Sequence, residues 1–278
     1  MHAIREALER IWILPRRLML DTRGVAATVP MLRGVWGAAL HDLDREAYEK
    51  VFRAGESERG APPAYVLRPV VDGGTAVDWI LIGSSAIQRD AKLLMAWGAA
   101  MERGLGESRV PFRVSDVRGL GPDGTDSGRP RPWRLSQAVW PLDGEPEGTP
   151  CRLTFCTPLA LLRQGELIQR PTLKDLVVRA GWRIESFLPP SRREAWRAGR
   201  GAVIELAAGI EARPWQGQRL DLRRYSARQQ KEFQVPGVCG WLDLPQGPGP
   251  LWPLLAALHW IHLGKSTIVG LGQVLIQA

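Results

Sequence analysis

The chain has 278 residues, of which 45% are hydrophobic, so it is long enough for one large or two ordinary domains and has a globular composition. Its 37 lysines and arginines outnumber its 29 acidic residues, which gives a formal charge of +8. This charge indicates either a polyanionic partner, of which nucleic acid is the first candidate, or a genome whose codons favour arginine. No apolar run approaches the roughly 20 residues that span a bilayer, and Glu6 and Glu9 interrupt any signal peptide, so we expect a cytoplasmic protein with no membrane partner.

Apolar spacing in the first half of the chain predicts alternating strands and helices. Helices are expected at 29–43 and 89–106, where apolar residues recur every three or four positions. Strands are expected at 10–20, 64–70, 76–87, 112–120 and 133–142.

The second half repeats this order after a Gly- and Pro-containing segment, 142–150, that is typical of a linker. Strands are expected at 151–161, 218–226, 238–244 and 268–276, with helices over 171–211 and 251–263. We therefore predict an α+β protein of two tandem ferredoxin-like domains, 1–145 and 146–278, the second with a helical insertion at about 171–211. A single large α+β domain is the alternative.

The sequence GKST (264–267) matches the end of the phosphate-binding loop of nucleotide hydrolases. The first glycine of that motif would fall at His259, and the predicted order is helix, loop, strand, the reverse of the order the motif needs. The glycine-rich segment 264–272 instead predicts either a tight turn, a loop that binds a nucleic-acid phosphate chain, or both. Its candidate binding residues are Lys265, Ser266 and Thr267.

Two further segments are strongly basic. The predicted helices between 174 and 200 have arginines one turn apart, and the segment 223–231 mixes arginines with a tyrosine and glutamines. For each segment two interpretations stay open: the basic side chains contact nucleic acid, or they are only solvated at the protein surface. The candidate residues are Arg179, Arg183, Arg193, Arg197, Arg223, Arg224 and Arg228.

One histidine has a position that favours chemistry. His41 ends the predicted helix 29–43 and shares a face with Arg33 and Gly37, and the glycine leaves room for a close approach. A lone histidine is more often structural than catalytic. The three cysteines have no zinc-finger spacing, so buried reduced thiols are expected.

Four ordered segments resemble the CRISPR repeat-cleaving endoribonucleases of the RAMP superfamily. They are LRGVWGAAL (32–40), PPAYVLRP (62–69), RYSARQ (224–229) and the glycine-rich GKSTIVGLG (264–272). Together they span nearly the whole chain.

This resemblance implies two ferredoxin-like domains and cleavage of precursor CRISPR RNA at the base of a repeat hairpin, with the product RNA staying bound. It implies a metal-free reaction without a cofactor, in which the ribose 2′-OH attacks the adjacent phosphate and leaves a 2′,3′-cyclic phosphate. His41 matches the family's histidine near the end of the first helix, and Arg23 is the candidate cation near the phosphorus. Arg33 and the basic residues above become candidate RNA contacts.

Some branches of the family lack a catalytic histidine, and the cysteine-rich segments of several relatives are absent from this sequence. The arginine content and the helical insertion suggest a divergent branch, such as that of type IV CRISPR systems. The alternative function is a non-catalytic subunit that holds guide RNA in a CRISPR effector complex. Other effector subunits are expected partners in either case.

Overall fold

The computed structural model of the protein describes residues 2–53, 63–70, 75–226 and 231–278. The chain forms two compact units. The N-terminal unit consists of Ile11–Gln137 and Ile268–Gly270, and the C-terminal unit consists of Met1–Arg10, Ala138–Thr267 and Leu271–Ala278. The domain boundary between 145 and 146 stays a prediction, but the first ten residues cluster with the C-terminal unit.

The described helices and strands are as follows. The helices are α1 His2–Glu9, α2 Val29–Leu43, α3 Arg45–Ala47, α4 Ser84–Ile87, α5 Asp90–Arg103, α6 Leu173–Phe187, α7 Pro190–Ala208 and α8 Trp252–Ile261. The strands are β1 Trp12–Asp21, β2 Tyr65–Pro69, β3 Ala76–Ile82, β4 Arg113–Leu120, β5 Asp126–Gly128, β6 Trp133–Arg134, β7 Cys151–Leu159, β8 Leu162–Arg163, β9 Glu166–Leu167, β10 Gln216–Ser226, β11 Lys231–Leu244 and β12 Val274–Gln277.

The N-terminal unit has the ferredoxin-like arrangement. Its antiparallel sheet has the order β2-β3-β1-β4, with β5 beside β4 and β6 pairing with the start of β1. Helices α2 and α5 pack against each other, where Trp36 and Trp97 stack with their ring centroids 5.6 Å apart. Trp79 of β3 meets Trp36 edge-on, so three fully buried tryptophans join the helices to the sheet.

The C-terminal unit repeats the arrangement. Its main sheet has the order β10-β11-β7-β12, which is the same ferredoxin order, and β8 and β9 form a separate hairpin. Helix α7 is the insertion and packs on α6. Helix α1 packs on α7 and α8, with the Arg5 guanidinium 5.2 Å from the ring centre of Trp252. The prediction of tandem ferredoxin-like folds is therefore confirmed, and α1 is an element that the apolar spacing did not predict.

Three predicted elements differ in extent. The strand expected over 76–87 ends at Ile82, because Gly83 has φ +87° and starts the short helix α4. The strand expected over 133–142 is two residues long, since the Gln137 side chain accepts the Arg134 N–H and a 3₁₀ turn follows. The helical segment 171–211 forms two helices, which meet where Pro189 disfavours a helical conformation at Leu188.

Candidate RNA-binding surface and active site

The glycine-rich loop, residues 264–272, is fixed to the end of β7 by backbone hydrogen bonds. The N–H of Lys265 donates to the Ala160 carbonyl at 3.0 Å, and the N–H of Gly272 donates to the Pro158 carbonyl at 3.1 Å. Gly272 has φ +68°, and a Cβ there would lie 1.7 Å from the Leu263 carbonyl oxygen. Only glycine fits at position 272, because the backbone of the loop lies against the backbone at Leu263 there.

The loop directs its three candidate residues differently. Lys265 is exposed and has no ion pair with any residue that the structure describes. Ser266 is half-buried and has φ +60°, a left-handed conformation that is uncommon outside glycine. Thr267 is 3% exposed, and its hydroxyl points into the protein. The predicted order of helix, loop and strand is confirmed, with α8 before the loop and β12 after it.

The side chain of Arg183, on α6, stabilises the glycine-rich loop through hydrogen bonds. Its Nη2 donates to the Ile261 carbonyl at 2.8 Å and to Thr267 Oγ1 at 2.9 Å, and its Nε donates to the same carbonyl at 3.2 Å. Burial lowers the pKa of this guanidinium to about 9. These hydrogen bonds hold the end of α8 against the start of the loop. Contact of Arg183 with RNA stays a prediction, and its visible partners are protein atoms.

The other arginines of α6 and α7 divide into two kinds. Arg193 donates from Nε to the Leu188 carbonyl at 3.0 Å, a hydrogen bond that stabilises the C-terminal end of α6. Arg197 pairs with Glu185, with Nε and Oε1 2.6 Å apart. Arg179 instead lies 4.4 Å from the ring centre of Trp182, which is 47% exposed. Desolvation lowers the pKa of Arg179, and this cation–aromatic pair is a part of α6 that a ligand can reach through the exposed Trp182.

Of the basic segment 223–231, the structure describes residues 223–226 and 231. The backbones of Arg223 and Arg224 belong to β10, opposite Gln234 and Phe233 of β11. Arg228 lies outside the described residues.

His41 forms a small network at the end of α2. Its Nδ1 lies 3.1 Å from Asp42 Oδ1, and its ring meets that of Tyr48 edge-on at 5.0 Å. Asp42 also pairs with Arg103. The hydrogen bond from His41, followed by that from Arg103, lowers the pKa of Asp42, so the ionised carboxylate accepts a hydrogen bond from the Nδ1–H and leaves Nε2 for a ligand.

Sequence reasoning missed these neighbours of His41. Asp42 adjoins the histidine, so its presence was visible in the sequence, but its role depends on the rotamer that turns it toward Nδ1. Arg103 is 61 residues from Asp42 and gave no signal. The side chain of His41 is 48% exposed and can reach a substrate.

Arg23 has a distinctive backbone conformation in the loop before α2. Its φ is +50°, and its N–H donates to Asp21 Oδ1 at 3.2 Å. No hydrogen bond or ion pair between the Arg23 and His41 side chains is present in the described part of the chain. The structure therefore leaves both candidates accessible and does not join them directly.

Arg33 packs into the N-terminal unit. Its Nε donates to the Tyr65 hydroxyl at 2.9 Å, and its guanidinium lies 4.1 Å from the ring centre of Phe52. The space beside Gly37 is occupied by the same phenylalanine, since a Cβ at Gly37 would lie 2.1 Å from Phe52 Cζ. The expectation that Gly37 leaves room for an approaching ligand is thus corrected: it admits an aromatic ring of the core.

The thiols differ from one another. Cys151 is buried, and burial raises its pKa to about 12, whereas Cys156 is exposed, so the expectation of buried thiols is wrong for Cys156. No group of three His, Cys, Asp or Glu side chains that could hold a metal ion occurs among the described residues. None of the described helices is both long enough and apolar enough to cross a membrane.

Comparison with known proteins identifies related sequences and folds. Residues 153–274 match the family described as CRISPR-associated endoribonuclease Cas6. No curated protein matches the sequence. A solved Cas6 product complex is 20% identical with a TM-score of 0.61, covering 96% of this chain and 100% of that one. Thermus thermophilus Cas6 is 15% identical with a TM-score of 0.58, covering 96% of this chain and 98% of that one. Another Cas6 product complex is 18% identical with a TM-score of 0.56, covering 95% of this chain and 98% of that one.

The family match covers α6 to α8 and most of β7, together with the glycine-rich loop and the start of β12. The structural likeness extends over both units. The resemblance to the CRISPR repeat-cleaving endoribonucleases is therefore confirmed, in sequence over residues 153–274 and in fold over nearly the whole chain, and the fold is that of Cas6.

Proposed function

We propose that this protein is an endoribonuclease that cleaves precursor CRISPR RNA within the repeat, at the base of a hairpin, and stays bound to the product. The observation that carries the proposal is the Cas6 family match across a loop that presents an exposed lysine, Lys265, on a ferredoxin-like fold. Cas6 structures of this fold include product and substrate-mimic complexes. The repeat RNA is the proposed partner, with other CRISPR effector subunits, in the cytoplasm.

The proposed reaction needs no metal ion. The 2′ oxygen attacks the adjacent phosphorus, the bond from phosphorus to the 5′ oxygen breaks, and the products end in a 2′,3′-cyclic phosphate and a 5′-OH. One proton leaves the 2′-OH and one proton reaches the departing 5′ oxygen, so the site must supply a base and an acid.

His41 is the proposed acid or base. Asp42 holds the Nδ1 edge of the imidazole, which leaves Nε2 to exchange a proton with the RNA. An aligned proton-transfer group contributes about 10²–10⁴-fold to a rate. Arg23, whose side chain forms no ion pair with any described residue, is proposed to stabilise the pentacoordinate phosphorus.

The remaining basic candidates are proposed to hold the hairpin. Among them, Lys265 is exposed, Ser266 and Arg179 are half-buried, and none of the three has an ion pair with a described residue. Roles for Arg33, Arg183, Arg193, Arg197, Arg223, Arg224, Arg228 and Thr267 in RNA binding stay predictions, as does assignment to a type IV system.

Single-turnover cleavage of a labelled repeat RNA in EDTA tests this function. We expect cleavage in EDTA, loss of about 10²-fold or more in rate for His41→Ala, and little change for His2→Ala, an exposed histidine at the start of α1. Arg23→Ala is compared with Arg109→Ala, since Arg109 is an exposed arginine with a similar φ of +48°. Equal rates for each pair would exclude His41 and Arg23 from the chemistry.

A further inference from the structure

A groove of about 690 Å³ lies beside the glycine-rich loop within the C-terminal unit. One wall is the β8–β9 hairpin, one is formed by β10 and β11, and the third is the turn at Lys265 and Ser266. The volume falls in the range of about 300–1,000 Å³ that is usual for small-molecule sites. It suits one or two nucleotides and is too small for a duplex.

The walls of the groove are fixed by the backbone. Gln164 and Gly165 both have positive φ values, +51° and +90°, which is the two-residue turn that matches the twist of a tight hairpin. The N–H of Ile168 donates to the Leu161 carbonyl at 2.9 Å, and the N–H of Lys265 donates to the Ala160 carbonyl. Contacts within the chain therefore fix the walls of the groove, so binding would not have to order them.

The lining combines an apolar base with polar groups at the rim. The rim residues Glu166, Gln169 and Gln234 are exposed, and none has a side-chain hydrogen bond to another described residue. Such a distribution suits a flat, partly apolar ligand whose edge carries several donors and acceptors. The apolar surface is supplied by Ala160, Leu162, Leu167, Val235 and Pro236.

The charges at the rim indicate where a phosphate would lie. Arg219 is engaged by Asp221 through two hydrogen bonds of 2.9 Å. Lys265 is the cation at the rim that has no such carboxylate among the described residues. With the phosphate at Lys265 and Ser266, the exposed amides of Gln169 and Gln234 are left on the same groove for the base edge.

We propose that this groove binds one unpaired nucleotide of the repeat RNA, with its base edge at Gln169 and Gln234 and its phosphate at Lys265. The inference rests on the proposed function and adds to it the part of the protein that recognises the base sequence of the RNA. RNA-binding proteins read unpaired bases through their Watson–Crick and Hoogsteen edges, for which an amide side chain supplies both a donor and an acceptor. Glu166 accepts hydrogen bonds only, so it favours a base with an exocyclic amino group over uracil.

Binding assays with abasic RNA test the proposal. A series of repeat RNAs of the protein's own locus, each with an abasic ribose at one unpaired position, is titrated against the wild type and the double variant Gln169→Ala/Gln234→Ala. The control is Gln218→Ala, an exposed glutamine that neighbours Arg219 on β10 and does not line the groove. Melting curves establish that each variant is folded.

We expect one abasic position to weaken binding by the wild type by about tenfold, which is a typical contribution of a bound base. The double variant should bind intact RNA about tenfold more weakly and show no further loss at that position, while the control behaves as the wild type. Replacing the sensitive base by uracil should also weaken binding by the wild type.

Two results would overturn the groove as a nucleotide site. One is an abasic penalty that is the same in the wild type and in the double variant, and the other is a wild type that binds repeat RNA without any sensitive unpaired position. A wild type that binds no repeat RNA would instead contradict the proposed function itself, so the two failures are distinguishable.

Discussion

Replacing Arg183 by methionine tests whether this arginine supports the glycine-rich loop. Methionine keeps an unbranched apolar side chain over Phe187 but removes every donor to the Ile261 carbonyl and to Thr267 Oγ1. Hydrogen bonds from charged groups contribute about 1.5–3 kcal/mol each, so two acceptors correspond to about 3–6 kcal/mol. Burial of the guanidinium, which lowers its pKa to about 9, offsets part of that stabilisation.

We therefore expect Arg183→Met to lower the free energy of unfolding by about 2–4 kcal/mol, measured by urea denaturation. Arg183→Lys should fall between this variant and the wild type, because one ammonium group cannot reproduce the planar fork. The matched control is Arg197→Met on α7, because the Arg197 side chain is 60% exposed and its partner Glu185 keeps a second ion pair with Arg200; the expected loss is about 0.2–1 kcal/mol.

RNA affinity separates support of the loop from direct binding. If Arg183 acts through the loop, the losses of RNA-binding free energy caused by Arg183→Met and by Lys265→Ala will not be additive in the double variant. The salt dependence of RNA binding by the double variant will then be lower than that of the wild type by the equivalent of about one phosphate contact. Additive effects, with a salt dependence reduced by about two phosphates, would show that Arg183 touches RNA itself. Equal unfolding free energies for Arg183→Met and Arg197→Met would refute the structural role.

Three further substitutions test the fold and the thiols. Asp78→Ala should cost about 3–5 kcal/mol in urea denaturation, because Asp78 is 1% exposed and binds the guanidinium groups of both Arg17 and Arg68; a loss below about 1 kcal/mol would contradict the buried network. Gly272→Ala should lower the melting temperature well below that of Gly124→Ala, because Gly124 has a similar positive φ but open space where a Cβ would lie; equal melting temperatures would show that the loop adapts. Burial raises the pKa of the Cys151 thiol from 9.0 to about 12, so the unfolded chain loses this proton first. The stability that the neutral thiol contributes is present below pH 9 and is lost as the pH rises toward 12. The difference in unfolding free energy between the wild type and Cys151→Ala should therefore shrink over that range. A constant difference would contradict the buried state of the thiol.

The order of strands and helices was predictable because it is a local property. Apolar residues at helical spacing place α2 at 29–43 as expected, and the second half of the chain repeats the pattern. Helix α1 was not predicted, since a helix of eight residues is marginal alone and depends on packing against α7 and α8.

The candidate site was less predictable because its interactions join distant residues. Arg183 looked like one member of a basic stripe on α6, but a carbonyl and a hydroxyl 78 and 84 positions further along the chain engage its guanidinium. Gly37 looked like an opening for a ligand, and Phe52 fills it. Both errors have one cause: helical periodicity identifies which residues share a face and does not identify what covers that face.

The central claim is tested most directly by the cleavage of the cognate repeat RNA in EDTA, with a 2′-deoxy substitution at each nucleotide in turn. The account predicts cleavage at one bond, abolished by the single deoxy substitution 5′ of that bond, and a product that ends in a 2′,3′-cyclic phosphate. Tight binding of the repeat without cleavage of any bond would contradict it and would leave a subunit that holds guide RNA.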